Sequence, residues 1–192
     1  MPYAQIDDHE IAFLDVGGEG PPIMLVPGPD STATSLRERF EVFGTIYRLI
    51  AWDPPVLVGE AGDRVREHAR LGLELLHHQG IERAIFAGDA AGALVAVRAG
   101  LLAPDRVRGL MLFDLPTADA AEFRRIEELD IPTLVVHAPT AEQADDHVRA
   151  LAAGIRDNRG VHLLDGEVPS LAADRAATLD PILREYLESL PA

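Results

Sequence analysis

The chain has 192 residues, 47% of them apolar and 5% aromatic, enough for one sizeable core and too few for two comfortable domains, so residues 1–192 are read as a single domain. Its 32 acidic and 17 basic residues leave a formal net charge of −15, which repels phosphate backbones and anionic membrane surfaces and excludes nucleic acid and membranes as expected partners. There is no Cys, so disulfides, thiolate nucleophiles and Cys-containing zinc sites are excluded too. All 17 basic residues are Arg, which with the abundant Ala reads as coding bias rather than chemistry. The opening MPYAQIDDHE lacks a basic start and an apolar h-region, and no apolar run approaches the roughly 20 residues of a membrane span. A soluble, cytoplasmic protein is the expectation.

In chain order, short apolar runs of β type alternate with longer segments of helical period, the pattern of an open sheet with helices on both faces. Two β-like stretches open the chain at 4–7 and 11–16, and the Gly-rich turn at 17–20 leads into PPIMLVPG, an apolar run suited to a strand buried on both faces. A helix is predicted over 34–43, followed by the strand YRLIAWD, which the prolines Pro54 and Pro55 terminate. The segment 62–78 sets Val65, Ala69, Leu73 and Leu76 on one helical face and Arg66, Arg70 and Glu74 on another. RAIFAGD reads as a strand, AAGALVAVRAGLLA as a helix buried against the sheet, and VRGLMLFD as the strand after it. A short helix at 120–129, a strand at 133–137, a helix at 144–155, a strand at 161–164 and a closing helix at 173–190 complete the chain. No internal repeat, low-complexity tract or interdomain linker interrupts it.

From Asp15 to Leu190 this order resembles the α/β-hydrolase family, and the resemblance rests on landmarks at strand ends, where open α/β sheets place their ligands. LVPGPD stands where that family has its His-Gly oxyanion loop, AWDPP where it has Ala-Pro-Asp, and AGDAAGA where it has the G-x-S-x-G nucleophile elbow. APDRVRGLMLFDLP looks like the stretch after the elbow helix, IPTLVVHA like the strand before the family's acid, and LDGEVPSL like the segment carrying its His. The resemblance implies a three-layer α/β sandwich around a mostly parallel eight-stranded sheet, with the opening strands antiparallel and no cap domain between the sixth and seventh strands.

Carried over residue by residue, the resemblance places chemically inert groups at the catalytic positions. Gly88 and Gly92 keep the tight strand-to-helix turn, but Ala90 at the nucleophile position has no heteroatom to attack with. The His position falls on Glu167, whose carboxylate is ordinarily too acidic to act as His does near neutrality. The acid position falls on Ala141; Asp114 after the preceding strand is an alternative acid, as in some relatives, but would orient a His that is not there. Of the two oxyanion-hole donors, Ala91 keeps its N–H, whereas the second falls on Pro29, next to Gly28, and Pro has none. One such donor is typically worth about 100- to 1000-fold in rate.

Asp89 precedes the elbow apex by one residue and is therefore out of register for the nucleophilic Asp of the dehalogenase branch. Asp30, Asp89 and Glu167 all sit at predicted strand ends, so two of them could meet as a general acid and base or hold a hard cation; solvated loop carboxylates are the alternative reading. The seven His show no metal spacing, His77 and His78 end a helix where positive charge suits the dipole, and His137 and Asp53 occupy positions the resemblance marks as structural. No metal and no cofactor is expected. The resulting expectation is a hydrolase-like protein without hydrolase activity that binds a small apolar ligand in the old cleft, another protein, or a second copy of itself. The alternative is an enzyme of non-covalent acid/base chemistry, a lyase, isomerase or atypical hydrolase, using Asp30 and Glu167. A homodimer is expected to cover segments 27–32, 114–118 and 166–171 through Leu115, Pro116, Val168, Pro169 and Leu171.

Overall fold

The structure is a computed structural model that describes residues 1–116, 123–138, 145–166 and 168–191. Among these residues the strands are β1 (Tyr3–Ile6), β2 (His9–Val16), β3 (Pro22–Val26), β4 (Arg48–Trp52), β5 (Ala84–Asp89), β6 (Val107–Phe113), β7 (Thr133–His137) and β8 (Asn158–Leu163). The helices are α1 (Ala33–Arg39), α2 (Ala61–His78), α3 (Ala91–Leu102), α4 (Asp145–Ala153) and α5 (Ala176–Ser189). One sheet runs in the order β1-β2-β4-β3-β5-β6-β7-β8. Pairing of β1 with β2 and of β2 with β4 is antiparallel, and every later pairing is parallel, as the resemblance implies.

The central strands are apolar at nearly every position because each face meets helices. Ile23, Leu25, Leu49, Ala51, Ile85, Ala87, Met111 and Phe113 point to the face covered by α1 and α5. Met24, Val26, Ile50, Trp52, Phe86, Leu110 and Leu112 alternate with them and pack on the other face against Leu71, Leu75 and Leu76 of α2 and the small residues of α3. Burial along α2 spreads wider than the four residues of the predicted stripe, since Leu71, Gly72 and Leu75 are buried as well.

Several boundaries differ from the sequence reading, each for a local reason. The helix predicted over 34–43 is broken: α1 ends at Phe40, and Glu41–Phe43 form a 3-10 turn. Phe40 and Phe43 both face the core with ring centroids 6.1 Å apart, and residues three apart share a face in the tighter 3-10 turn. The short helix expected at 120–129 is a 3-10 segment at Phe123–Glu128, with 120–122 outside the described residues. The last helix is preceded by a 3-10 turn at Ala173–Arg175, and β8 starts three residues before its apolar part, at Asn158, whose side chain donates to the Ala152 carbonyl at the end of α4.

At the middle of the sheet three backbones converge. A Cβ on Gly92 would run into the carbonyl of Val26 and lie 2.9 Å from that of Pro27, and a Cβ on Gly88 would collide with Gly92 itself. Position 92 lies inside α3, where Ala would ordinarily be favoured over Gly by about 1 kcal/mol. The close approach reverses that sign. Gly92→Ala is expected to destabilise the protein by about 3 kcal/mol or more in urea unfolding, the range of forced overpacking. A gain in stability would show that the three segments are not in contact.

Candidate active-site cleft

The elbow places Ala90 between β5 and α3 with φ 48° and ψ −113°, a region that L residues rarely occupy. Its amide donates to the Phe113 carbonyl of β6 at 2.9 Å, and its carbonyl accepts from Ala93, so the strained turn is fixed on both sides. The residue held in this posture is a methyl group. Facing it is the loop after β3, where a Cβ on Gly28 would lie 2.7 Å from the Asp89 carbonyl and 3.0 Å from the Ala90 Cβ. Pro29 and Asp30 beyond it are exposed, and Ala91 begins α3 at the cleft surface.

The loop after β3 is tied to the elbow by Ser31, which the sequence reading did not single out. Ser31 accepts from the Gly28 amide at 2.9 Å and donates to Asp89 Oδ2 at 2.7 Å. The short turn GPDS, with a hydroxyl three residues after a glycine, is the local signal that could have revealed it. Asp89 is half-buried, and burial pushes its carboxyl above the ordinary value of 3.8; the hydrogen bond from Ser31 opposes this, and the neighbouring Asp114 and Asp30 carboxylates reinforce it.

Asp114 follows β6 with φ 46° and holds the opposite wall. Its Oδ1 accepts from the Ala138 amide at 2.8 Å, and its Oδ2 accepts from both the Ser170 amide, at 2.7 Å, and the Ser170 hydroxyl, at 3.0 Å. Nδ1 of the fully buried His137 lies 3.9 Å from Asp114 Oδ1. Asp114 therefore joins the ends of β6 and β7 to the loop after β8. Arg175 secures that loop further, donating to the carbonyls of Asp165, Gly166 and Val168. Asp53 is structural as expected: its Oδ1 accepts from the Ala33 amide at the start of α1, at 2.8 Å. Ala141 and Glu167 lie outside the described residues, so the proposed Asp30 and Glu167 pair has only its first member placed.

A cavity of about 430 Å³ opens at Ala90, and its lining includes Asp30, Asp89, Asp114, Arg39, Leu36 and Leu171. Arg39 comes from α1, was not singled out in the sequence, and pairs through Nη1 with Asp180 of α5 at 2.8 Å; its side chain is 8% exposed. Its Nε and Nη2 are buried without a hydrogen-bond partner. A second cavity of about 440 Å³ lies across the oxyanion-loop position, against Pro29, Ala91, Arg64 and His68. Among the described residues no group of three or more His, Asp and Glu is arranged to hold a metal ion, and no helix is long and apolar enough to cross a membrane.

The apolar floor expected at this face is smaller than the sequence suggested. Leu115 is fully buried within its own chain, Leu171 is half-buried and packs partly on the core, and Val168, at 42% exposed, and Pro169 remain exposed at the rim. The physical reason is that Asp114, at φ 46°, breaks the alternation of β6, so that Leu115 packs with Leu110 and Leu112 and not on the face of Met111 and Phe113.

A raised carboxyl makes the native state the better proton binder, so its contribution to stability falls as pH rises from the unfolded value near 3.8 through the folded one. Asp89→Asn keeps an acceptor for Ser31 and removes the buried charge. The variant is expected to melt higher than the parent at about pH 7, with the difference shrinking toward about pH 4. Equal shifts at both pH values would assign the effect to packing instead.

No family model matches the chain. RutD of Azorhizobium caulinodans, named as a candidate carbamate hydrolase, is 28% identical over 145 residues; the match takes in 73% of this chain, and the chain spans 54% of that protein's length. A hydrolase from Pseudomonas aeruginosa superposes with a TM-score of 0.82 at 16% identity, covering 97% of each chain. A CIB-like hydrolase from Thermoplasma acidophilum gives 0.80 at 16% identity over 97% of this chain and 96% of that one, and an esterase from Thermogutta terrifontis 0.74 at 19% over 92% and 94%. Strand order, the elbow between β5 and α3 and these superpositions agree that the chain has the α/β-hydrolase fold, with an eight-stranded, mostly parallel sheet and flanking helices.

Proposed function

We propose that this chain binds a small molecule in the cleft at Ala90 and does not carry out triad hydrolysis. The observation that carries the reading is the methyl group at the apex: the backbone is set for a nucleophile, and the side chain has no lone pair to form a covalent intermediate. Pro29, which has no amide proton, supports it, because a tetrahedral oxyanion would lack one of its two donors. The cavity of about 430 Å³ beside Ala90 is within the size range of small-molecule sites, which favours a ligand over closure of the cleft by its own side chains. With Leu115 buried, no part of this reading requires a second copy of the chain.

A second reading, non-covalent acid/base chemistry, is favoured by one feature: Asp89, whose carboxyl burial makes less acidic, lines the same cavity as Asp114 and Asp30. A carboxyl on which burial favours the proton is the kind of group a general acid uses. In that case Asp89, rather than Asp30 with Glu167, is the proton donor.

The test combines labelling and turnover. The protein is expected to remain unlabelled by fluorophosphonate probes and to release no burst of phenol from p-nitrophenyl esters. Ala90→Ser alone should give a kcat far below about 1 per second, because a serine without its base is hardly more nucleophilic than water. A stoichiometric burst, or a label mapping to residues 88–92, would overturn the reading.

A further inference from the structure

We propose that this chain pairs with a second copy of itself across a twofold axis, through the loop after β4 and the first half of α2. This surface lies outside segments 27–32, 114–118 and 166–171, and the ligand-binding reading of the cleft does not depend on it. Val56 and Val58 are 97% and 101% exposed, whereas no other large apolar side chain among the described residues exceeds the 62% of Tyr3. Leu57 between them is half-buried, so the alternation sets both valines on the outer side of the loop. That loop is fastened on both flanks of the valines: His68 Nε2 of α2 donates to the Pro55 carbonyl at 2.9 Å, and Arg64 Nη1 donates to the Gly59 carbonyl at 2.7 Å. Single exposed apolar residues are ordinary, but a pair held out on a tethered loop is a contact surface without its contact.

Charge identifies what covers it. Val58 shares a groove of about 480 Å³ with Leu102, 42% exposed, and with Asp63, Arg64 and Arg66 of α2. Asp63 and Arg66 are exposed, and neither has an ion-pair partner among the described residues; Arg70, further along the helix, is held by Glu67 and Asp7. A wholly acidic partner would meet Asp63 with its own sign, and a wholly basic one would do the same to Arg66. A surface that carries both signs beside an apolar centre is complementary to itself. Under a twofold axis α2 runs antiparallel to its mate, Asp63 of one copy meets Arg66 of the other, and the valines close on each other. Between residues 60 and 70 three acidic and three basic residues balance, so two copies of a chain of net charge −15 can approach here without the repulsion that the rest of the surface imposes.

Sedimentation velocity of the full chain from about 1 to about 200 µM is expected to show a monomer converting to a dimer. Because both valines are exposed in the single chain, the combined Val56→Asp and Val58→Asp variant should keep the melting temperature of the dilute monomer while raising the dissociation constant at least about tenfold. Asp63→Arg and Arg66→Asp should each weaken association by about threefold or more, and the two together should restore it to within about twofold. The chain has no Cys, so Val58→Cys carries a single thiol. Under mild oxidation it should cross-link at least about tenfold faster than Val42→Cys, whose site follows α1 on the opposite face of the sheet. A monomer throughout the concentration range, a dimer that the aspartates leave intact, a charge exchange that fails to restore association, or equal cross-linking at positions 42 and 58 would overturn the proposal. None of these outcomes bears on ligand binding in the cleft.

Discussion

The contact on which the rest of the structure depends is one of backbone against backbone, where the end of β3, the end of β5 and the first turn of α3 meet without intervening side chains. Gly88 and Gly92 are positions there where a single added carbon would strike main-chain atoms that have nowhere to go. Because they are absent of side chain, α3 can sit tightly over the sheet, and because α3 sits there, Ala90 is forced to positive φ and aimed out of the sheet's end. Strain of this kind costs about 1–3 kcal/mol and persists only where the surroundings over-determine it. Here the Phe113 carbonyl and the apolar helix hold it. The fold thus preserves the geometry of an activated residue independently of what residue is there.

Electrostatics around that apex follow from the same crowding. Asp89 is the last residue of β5, half withdrawn from water, with Asp30 and Asp114 facing it from the ends of two other segments. In a chain of net charge −15 such a gathering is unfavourable. It is relieved locally by hydrogen bonds: Ser31 donates to Asp89, and three donors from Ala138 and Ser170 converge on Asp114. Arg39 supplies the one cation lining the cavity among the described residues. The lining of the cleft therefore carries three carboxylates and one guanidinium, a more specific property than the overall acidity.

The mostly parallel eight-stranded sheet, its antiparallel opening and the elbow were legible because the landmarks at the strand ends resemble, in their order, those of the α/β-hydrolase family. Asp53 was legible as structural from the position it holds in the family resemblance. Three site residues were not legible. Ser31, Ser170 and Arg39 act through contacts with residues 58, 56 and 141 positions away, and no local pattern encodes those partners. Leu115 was misread for the converse reason: a hydrophobic residue just past a strand looks exposed in sequence, but the strand's end still lies over the core. The break after Arg39 was hidden because Phe40 and Phe43 satisfy either helical period, and tertiary packing chose the tighter one.

The seven-residue helix α1 is too short to be stable alone. Its first amide is gripped by Asp53 at the end of β4, Thr32 and Ser35 cap each other across its opening turn, and Arg39 at its last residue is clamped to Asp180 of α5. It is a strut fastened at both ends to elements on either side, and Leu36 and Arg39 project from it into the cleft wall. A wall fastened this way does not have to be organised by whatever enters. A ligand bound there would pay little ordering entropy, the free and occupied shapes would stay close, and selectivity would be set by the fixed placement of groups and not by a closing motion.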